Sequence, residues 1–192
     1  MEDFDALIAR VRACRLCEPD LALGARPVLQ VSPSARILIV GQAPGTRVHA
    51  SGVPFDDPSG DRLRAWLGVD REQFYDAARI ALVPMGFCYP GRGKGGDLPP
   101  DPRCAATWRA PVLEQMPNIG LTLVLGAYAQ AWHLPETGGT LADTVRRWRE
   151  FAPEVIPAPH PSPRNNRWLR NNAWFEAEVV PYLQNRVSLL LG

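Results

Sequence analysis

Apolar positions along the chain recur at two spacings. Phe4, Leu7, Ile8 and Val11 follow the three- and four-residue spacing of a helix, which predicts one over residues 2–15. Arg36-Ile37-Leu38-Ile39-Val40 is instead a short unbroken apolar run stopped by Gly41, the pattern of a buried strand. Further strands are predicted over 78–83, 121–125 and 154–158. Helices are predicted over 59–68, with Ser59 as cap and Gly68 as stop, and over 102–116, with Pro102 in the first turn and Pro111 as a kink or interruption. Residues 126–133, 141–148 and 166–184 complete the helical set. Strands separated by helices imply a parallel sheet covered on both faces, an α/β fold.

At 192 residues and 46% hydrophobic content the chain suits a single core, and residues 1–192 read as one domain and a monomer. Its 20 prolines are about twice average usage and gather in two long irregular stretches, 41–60 and 83–101, so loops of functional length are expected. The acidic start lacks a secretory layout and no apolar run reaches membrane-spanning length, which predicts a cytoplasmic protein with no membrane partner. The net charge of +1 points to no partner by itself. Locally, Arg146, Arg147, Arg149, Arg164, Arg167 and Arg170 interleave with Trp148, Trp168 and Trp174. Phosphate contact beside stacking surfaces would need this mixture; ordinary amphipathic helices with core tryptophans would also give it.

Cys14 and Cys17 form a C-x2-C pair after the first helix, and Cys88 and Cys104 flank a Pro/Gly-rich loop. Four thiolates from two such pairs would hold either a [4Fe–4S] cluster or a four-cysteine zinc ion, and four unrelated buried thiols are the third reading. Disulfides are not expected in a reducing compartment.

Two loop segments follow apolar strands: Gly41-Gln42-Ala43-Pro44-Gly45, with Gly52-Val53-Pro54-Phe55 after it, and His160-Pro161-Ser162-Pro163-Arg164-Asn165. With the cysteine spacing, the first set resembles the iron–sulfur uracil-DNA glycosylases, whose first motif reads G-E-x-P-G and is followed by G-x-P-F. The second is similar to the second motif of the single-strand-selective monofunctional uracil glycosylases. The resemblance spans residues 14 to about 165. It implies a three-layer αβα fold around a four-stranded parallel sheet, a structural [4Fe–4S] cluster on Cys14, Cys17, Cys88 and Cys104, and excision of a deaminated base from DNA.

The chemistry suits those residues. A base inside the stack must be extruded into a pocket and read by stacking and edge hydrogen bonds, and Phe55 is the candidate platform. Backbone of Gly41, Pro44 and Gly45 would approach the ligand, with Gln42 and Ala43 at the catalytic positions of the first motif. Cleavage leaves negative charge on the base, so a donor aimed at its oxygen lowers the barrier; His160, locked between prolines, is the choice. Ser162, Arg164 and Asn165 complete the second loop, with Arg164 and Asn165 expected as a wedge in the emptied stack and Arg167 and Arg170 as phosphate contacts. Ala43 replaces the Asp or Asn of several related families, leaving Gln42, His49, Asp56 and Asp57 as candidates to place the attacking water. Pro84 stands where the iron–sulfur family has an asparagine that reads uracil, so a broader base preference is expected, extending to hypoxanthine or xanthine. A non-catalytic binder of damaged or single-stranded DNA is the second reading.

Overall fold

The computed structural model describes residues 3–135 and 137–192; position 2, where the predicted first helix begins, lies outside them. Among the described residues, four parallel strands form the main sheet: β1 (Ile37–Val40), β2 (Ile80–Leu82), β5 (Leu121–Leu125) and β6 (Val155–Ala158), in the order β2-β1-β5-β6. A small antiparallel hairpin, β3 (Arg92–Gly93) and β4 (Gly96–Asp97), lies between β2 and β5 in sequence. Side chains of a strand point alternately to its two faces, and the core divides accordingly. Ile37, Ile39, Ile80, Leu82, Leu121, Leu123 and Leu125 enter one apolar cluster, whereas Leu38, Val40, Ala81, Val83 and Val124 enter the other.

Helices cover both clusters. On one face α3 (Pro58–Leu67) contributes Leu63, Trp66 and Leu67, α4 (Arg71–Tyr75) contributes Phe74, and α8 (Leu141–Arg146) contributes Val145. The carboxyl-terminal helices complete this layer with Leu169, Phe175, Leu183 and Val187. On the other face lie Leu7, Ile8 and Val11 of α1 (Phe4–Arg12), Trp108 and Val112 of the helix that follows Pro102, and Ala129 of α7 (Ala127–His133). The result is the expected three-layer αβα arrangement.

Two sequence expectations, the cap of α3 and the single closing helix, are corrected, and two others are made specific. The cap of α3 is Asp57, whose Oδ1 accepts the N–H groups of Ser59 (2.8 Å) and Gly60 (3.0 Å), with Pro58 pre-set at the first helical position. Pro111 interrupts its helix in a specific way: α5 (Pro102–Cys104) widens into a π-turn over Ala105–Arg109 before α6 (Ala110–Glu114). The wide turn accommodates a proline that has no N–H to give and would crowd the preceding carbonyl. The closing helix is two pieces, α9 (Asn166–Asn171) and α10 (Val180–Leu191), the second entered through a π-turn over Phe175–Val179 just before Pro181. They part where the Asn172 amide donates to Trp168 O (2.9 Å) and its oxygen accepts from Trp174 Nε1 (3.1 Å). For the arginine–tryptophan segment, open between two readings, the packing is that of core tryptophans beside paired arginines. Trp148 is buried, and half-buried Trp168 and Trp174 pack edge-to-face around Phe175, as core tryptophans would. Arg149 pairs with Glu178 and Arg147 with Glu150.

Helix α2 (Thr46–Ser51) and the β3–β4 hairpin occupy stretches read from sequence as irregular, and α4 occupies one to which the sequence assigns no element. No helix among the described residues is long and apolar enough to cross a membrane.

Candidate functional site

The loops leaving β1, β2 and β6 meet at the carboxyl ends of the strands, where open α/β sheets bind ligands. They surround a cavity of about 500 Å³. Gly41–Gly45, Phe55, Pro84, His160, Ser162, Arg164 and Asn165, all expected from sequence, line it together. The first two loops are joined directly: Met85 N–H donates to Gly41 O (2.9 Å) and Gly86 N–H to Gln42 O (3.0 Å).

Phe55 lies on the cavity wall with φ of 54°, the one non-glycine residue at positive φ among those described. That is a costly conformation for a bulky side chain and marks a constrained position. Gly60 of α3 supports it: a Cβ there would lie 1.8 Å from Phe55 O. Gly60→Ala must therefore displace the Phe55 backbone. We expect a Tm several degrees lower and a disabled pocket, read by thermal melting and by ligand binding; an unchanged melt would contradict this packing.

His160 is fixed through its ring, its carbonyl and the loop that carries it. Ser162 N–H donates to its Nδ1 (3.2 Å), Asn165 Nδ2 donates to its carbonyl (2.7 Å), and Gly126 leaves room beside its Cβ. Arg62 of α3 clamps the same loop, Nη1 reaching Pro161 O and Ser162 O (both 3.2 Å) and Nη2 reaching Asn166 Oδ1 (2.6 Å). An Nδ1 that accepts a hydrogen bond leaves the proton on Nε2, and burial holds the imidazole pKa below its ordinary value. The side chain is thus a neutral donor through Nε2–H. Its ring lies 23° from parallel to that of Phe55 with centroids 6.4 Å apart. A flat base stacked on Phe55 would therefore lie nearly parallel to the imidazole.

Not every expected residue reaches outward. Asn165 is committed to the His160 carbonyl, and Gln42 Nε2 donates to Leu98 O (2.8 Å), tying the first loop to the hairpin. Arg164 is exposed at the rim, its guanidinium packed against Gly96. Arg167 and Arg170 are exposed on α9. Among the four water-positioning candidates, Gln42 and Asp57 line the cavity; Asp56 pairs with Arg71, and His49 packs near Tyr89.

Sequence reasoning missed Arg62 and Arg109. Arg109 is fully buried, and it bonds Val83 O (3.3 Å), Pro84 O (3.2 Å) and His133 Nε2 (2.7 Å), which braces the Pro84 wall from behind. An arginine on a helix reads as solvated, so no sequence signal marks it. Burial, and then the Arg109 charge, depress the His133 pKa to about 4. The unfolded chain takes up a proton near pH 6.5, whereas the folded chain resists it down to about pH 4. Stability is therefore complete above pH 6.5 and falls as pH drops toward 4, by about 2–3 kcal/mol. Urea melts at pH 7.5 and 4.5 should show this loss in the native chain and a smaller one in His133→Asn.

The four cysteines line a second cavity, with Leu21, Ala25, Phe87 and Trp108 among its apolar neighbours. Among the described residues no three His, Cys, Asp or Glu converge as a ready site for one ion. Trp108 Nε1 donates to Cys14 Sγ and Phe87 N–H to Cys104 Sγ, both at 3.3 Å. Burial, then the Asp101 carboxylate, pushes Cys17 to about 11; burial, then the neighbouring thiols, pushes Cys104 to about 12; and burial raises Cys88. Apolar walls and N–H···S bonds suit sulfurs that hold a metal cluster better than a solvated pocket.

The model of the uracil DNA glycosylase superfamily matches residues 29–184. The fold is similar to the solution NMR structure of a proposed uracil DNA glycosylase from Methanosarcina acetivorans, with TM-score 0.51 and 16% identity over 84% of this chain and 97% of that one. Both cavity-lining loops fall inside the matched span, and the chain belongs to the uracil DNA glycosylase superfamily.

Proposed function

We propose that this protein is a monofunctional DNA glycosylase of base excision repair, hydrolysing the bond between deoxyribose and uracil or another deaminated base. The observation that carries the reading is the pairing of Phe55 with a tautomerically fixed His160 across one cavity. Phe55 stacks the extruded base. The His160 Nε2–H donates to a base oxygen, and this bond strengthens as negative charge gathers there, so it favours the transition state over the bound substrate. The fixed tautomer means no side chain reorganises as the charge develops. With Pro84 on the wall, an asparagine's paired donor and acceptor are absent, and base preference is broader than in asparagine-bearing relatives.

Cys14, Cys17, Cys88 and Cys104 would hold a [4Fe–4S] cluster, the reading preferred over zinc. When bound, the cluster ties the end of α1 to the loops around Cys88 and Cys104, a structural task. Thiols kept reduced for it suit a cytoplasmic enzyme.

Labelled oligonucleotides carrying uracil, hypoxanthine, xanthine or cytosine, treated with the protein and then alkali, test the activity. Abasic product from at least one deaminated base, and none from cytosine, is expected. Tight binding with no abasic product would instead identify a non-catalytic binder.

A further inference from the structure

Hydrolysis needs a group to hold and deprotonate the attacking water, and the first motif has Ala43 where a polar side chain would serve. Asp57 lines the cavity, yet its Oδ1 is occupied by two α3 amides, and Asp56 is paired with Arg71. A third carboxylate reaches the site from the β3–β4 hairpin. Asp97 lines the same cavity as His160 and Phe55, and its Oδ2 is 3.7 Å from the point a Cβ on Gly45 would occupy, so it overhangs the first loop. The hairpin is anchored on both sides of the cavity: Gln42 Nε2 holds Leu98 O, and the Arg164 guanidinium packs on Gly96. No hydrogen bond or salt bridge engages the Asp97 carboxylate among the described residues.

Depth in the cavity separates the roles. Val28, Leu82 and half-buried Phe55 form its apolar interior, whereas Asp97, Arg92 and Arg164 are exposed at its mouth. An extruded base seeks the apolar interior, and its sugar, still joined to the strand, stays nearer the mouth. A carboxylate at the mouth would therefore face the sugar rather than the base, and DNA seated over the mouth would shield it from bulk water.

We propose that Asp97 is the group that orients the attacking water and accepts its proton. The inference rests on the glycosylase reading above. The water oxygen forms a bond to C1′ as the C1′–N bond breaks. The bonding pair leaves with the base, whose oxygen is held by the His160 N–H. One water proton passes to Asp97, and the departing base anion takes a proton from solvent.

The test compares native protein, Asp97→Asn and Asp97→Glu in single-turnover excision, with the base the native chain excises best. Affinity for the same duplex carrying a non-cleavable 2′-fluoro analogue, and Tm, are measured in parallel. Asp97→Asn should excise about 100-fold more slowly or worse, with affinity within about threefold of native and Tm unchanged, and Asp97→Glu should recover part of the rate. Asp97→Asn excising within about threefold of native would overturn the assignment while leaving the glycosylase reading intact. A parallel collapse of affinity would also overturn it, making the hairpin a DNA-holding element. Failure of the native chain to excise any deaminated base would remove the glycosylase reading and this inference with it.

Discussion

His160→Ala should lower the single-turnover rate of base excision by about 100- to 1,000-fold, the usual loss when one preorganised donor to a developing anion is removed. Affinity for the uncleaved duplex should change little, because the bond gains its strength only as charge moves onto the base. The loss should not be attributable to unfolding, since Arg62 grips the carbonyls of Pro161 and Ser162 and leaves the loop anchored without the imidazole. Arg62→Met tests that division. It should also slow excision by loosening the loop, and a conservative lysine at that place, able to reach one carbonyl but not the whole set, should restore only part of the rate. A His160→Ala enzyme with a rate near native would transfer the leaving-group role elsewhere. The neutral tautomer adds a pH criterion. With its pKa held down by burial, His160 should produce no step in excision rate near pH 6.5, where an exposed histidine would titrate.

The strands were legible because a buried parallel strand writes its environment into an apolar run: Ile37–Val40 is unbroken, and Leu121–Leu125 is broken only by Thr122. The loops at their ends were legible by motif, which is why Gly41–Gly45, Phe55 and His160 converge on one cavity as expected. What composition concealed was direction. Trp148, Trp168 and Trp174 lie among arginines in the sequence, yet they point inward while Arg149 and Arg147 pair with carboxylates at the surface. Periodicity cannot separate a core tryptophan beside a solvated arginine from a stacking platform beside a phosphate contact. Arg109 is the reverse case, a charged side chain drawn wholly inside by two carbonyls and a histidine some 25 positions away in sequence. The hairpin was hidden because each of its strands has only two residues, too few for alternation to register, although the Gly93-Lys94-Gly95-Gly96 turn between them is a loop signal. Asp97 was lost with it.

Purified protein should be brown and carry about four irons per chain, and Cys17→Ser should lose both colour and a large share of stability. The size of that loss follows from chain connectivity. Cys14 and Cys17 follow α1, whereas Cys88 and Cys104 belong to segments more than seventy positions later, and all four border one cavity. Closing a loop of that length removes about 4 kcal/mol of freedom from the unfolded chain, which in a domain of this size corresponds to a Tm lower by about 8–15 °C when the link is cut. Local effects add to it. Without a metal the Cys104 and Cys17 thiols stay protonated in apolar surroundings, and the Trp108 and Phe87 N–H groups are left with weak thiol acceptors. The base cavity shares no lining residue with the cysteine cavity. At a temperature well below the lowered Tm, excision by Cys17→Ser should therefore stay within a few-fold of native. Melting curves, iron and zinc analysis and single-turnover rates on the same preparations distinguish the outcomes. Colourless native protein with one zinc would replace the cluster by an ion. An iron-loaded protein whose Cys17→Ser variant keeps its Tm but loses excision would move the cluster from scaffold to chemistry.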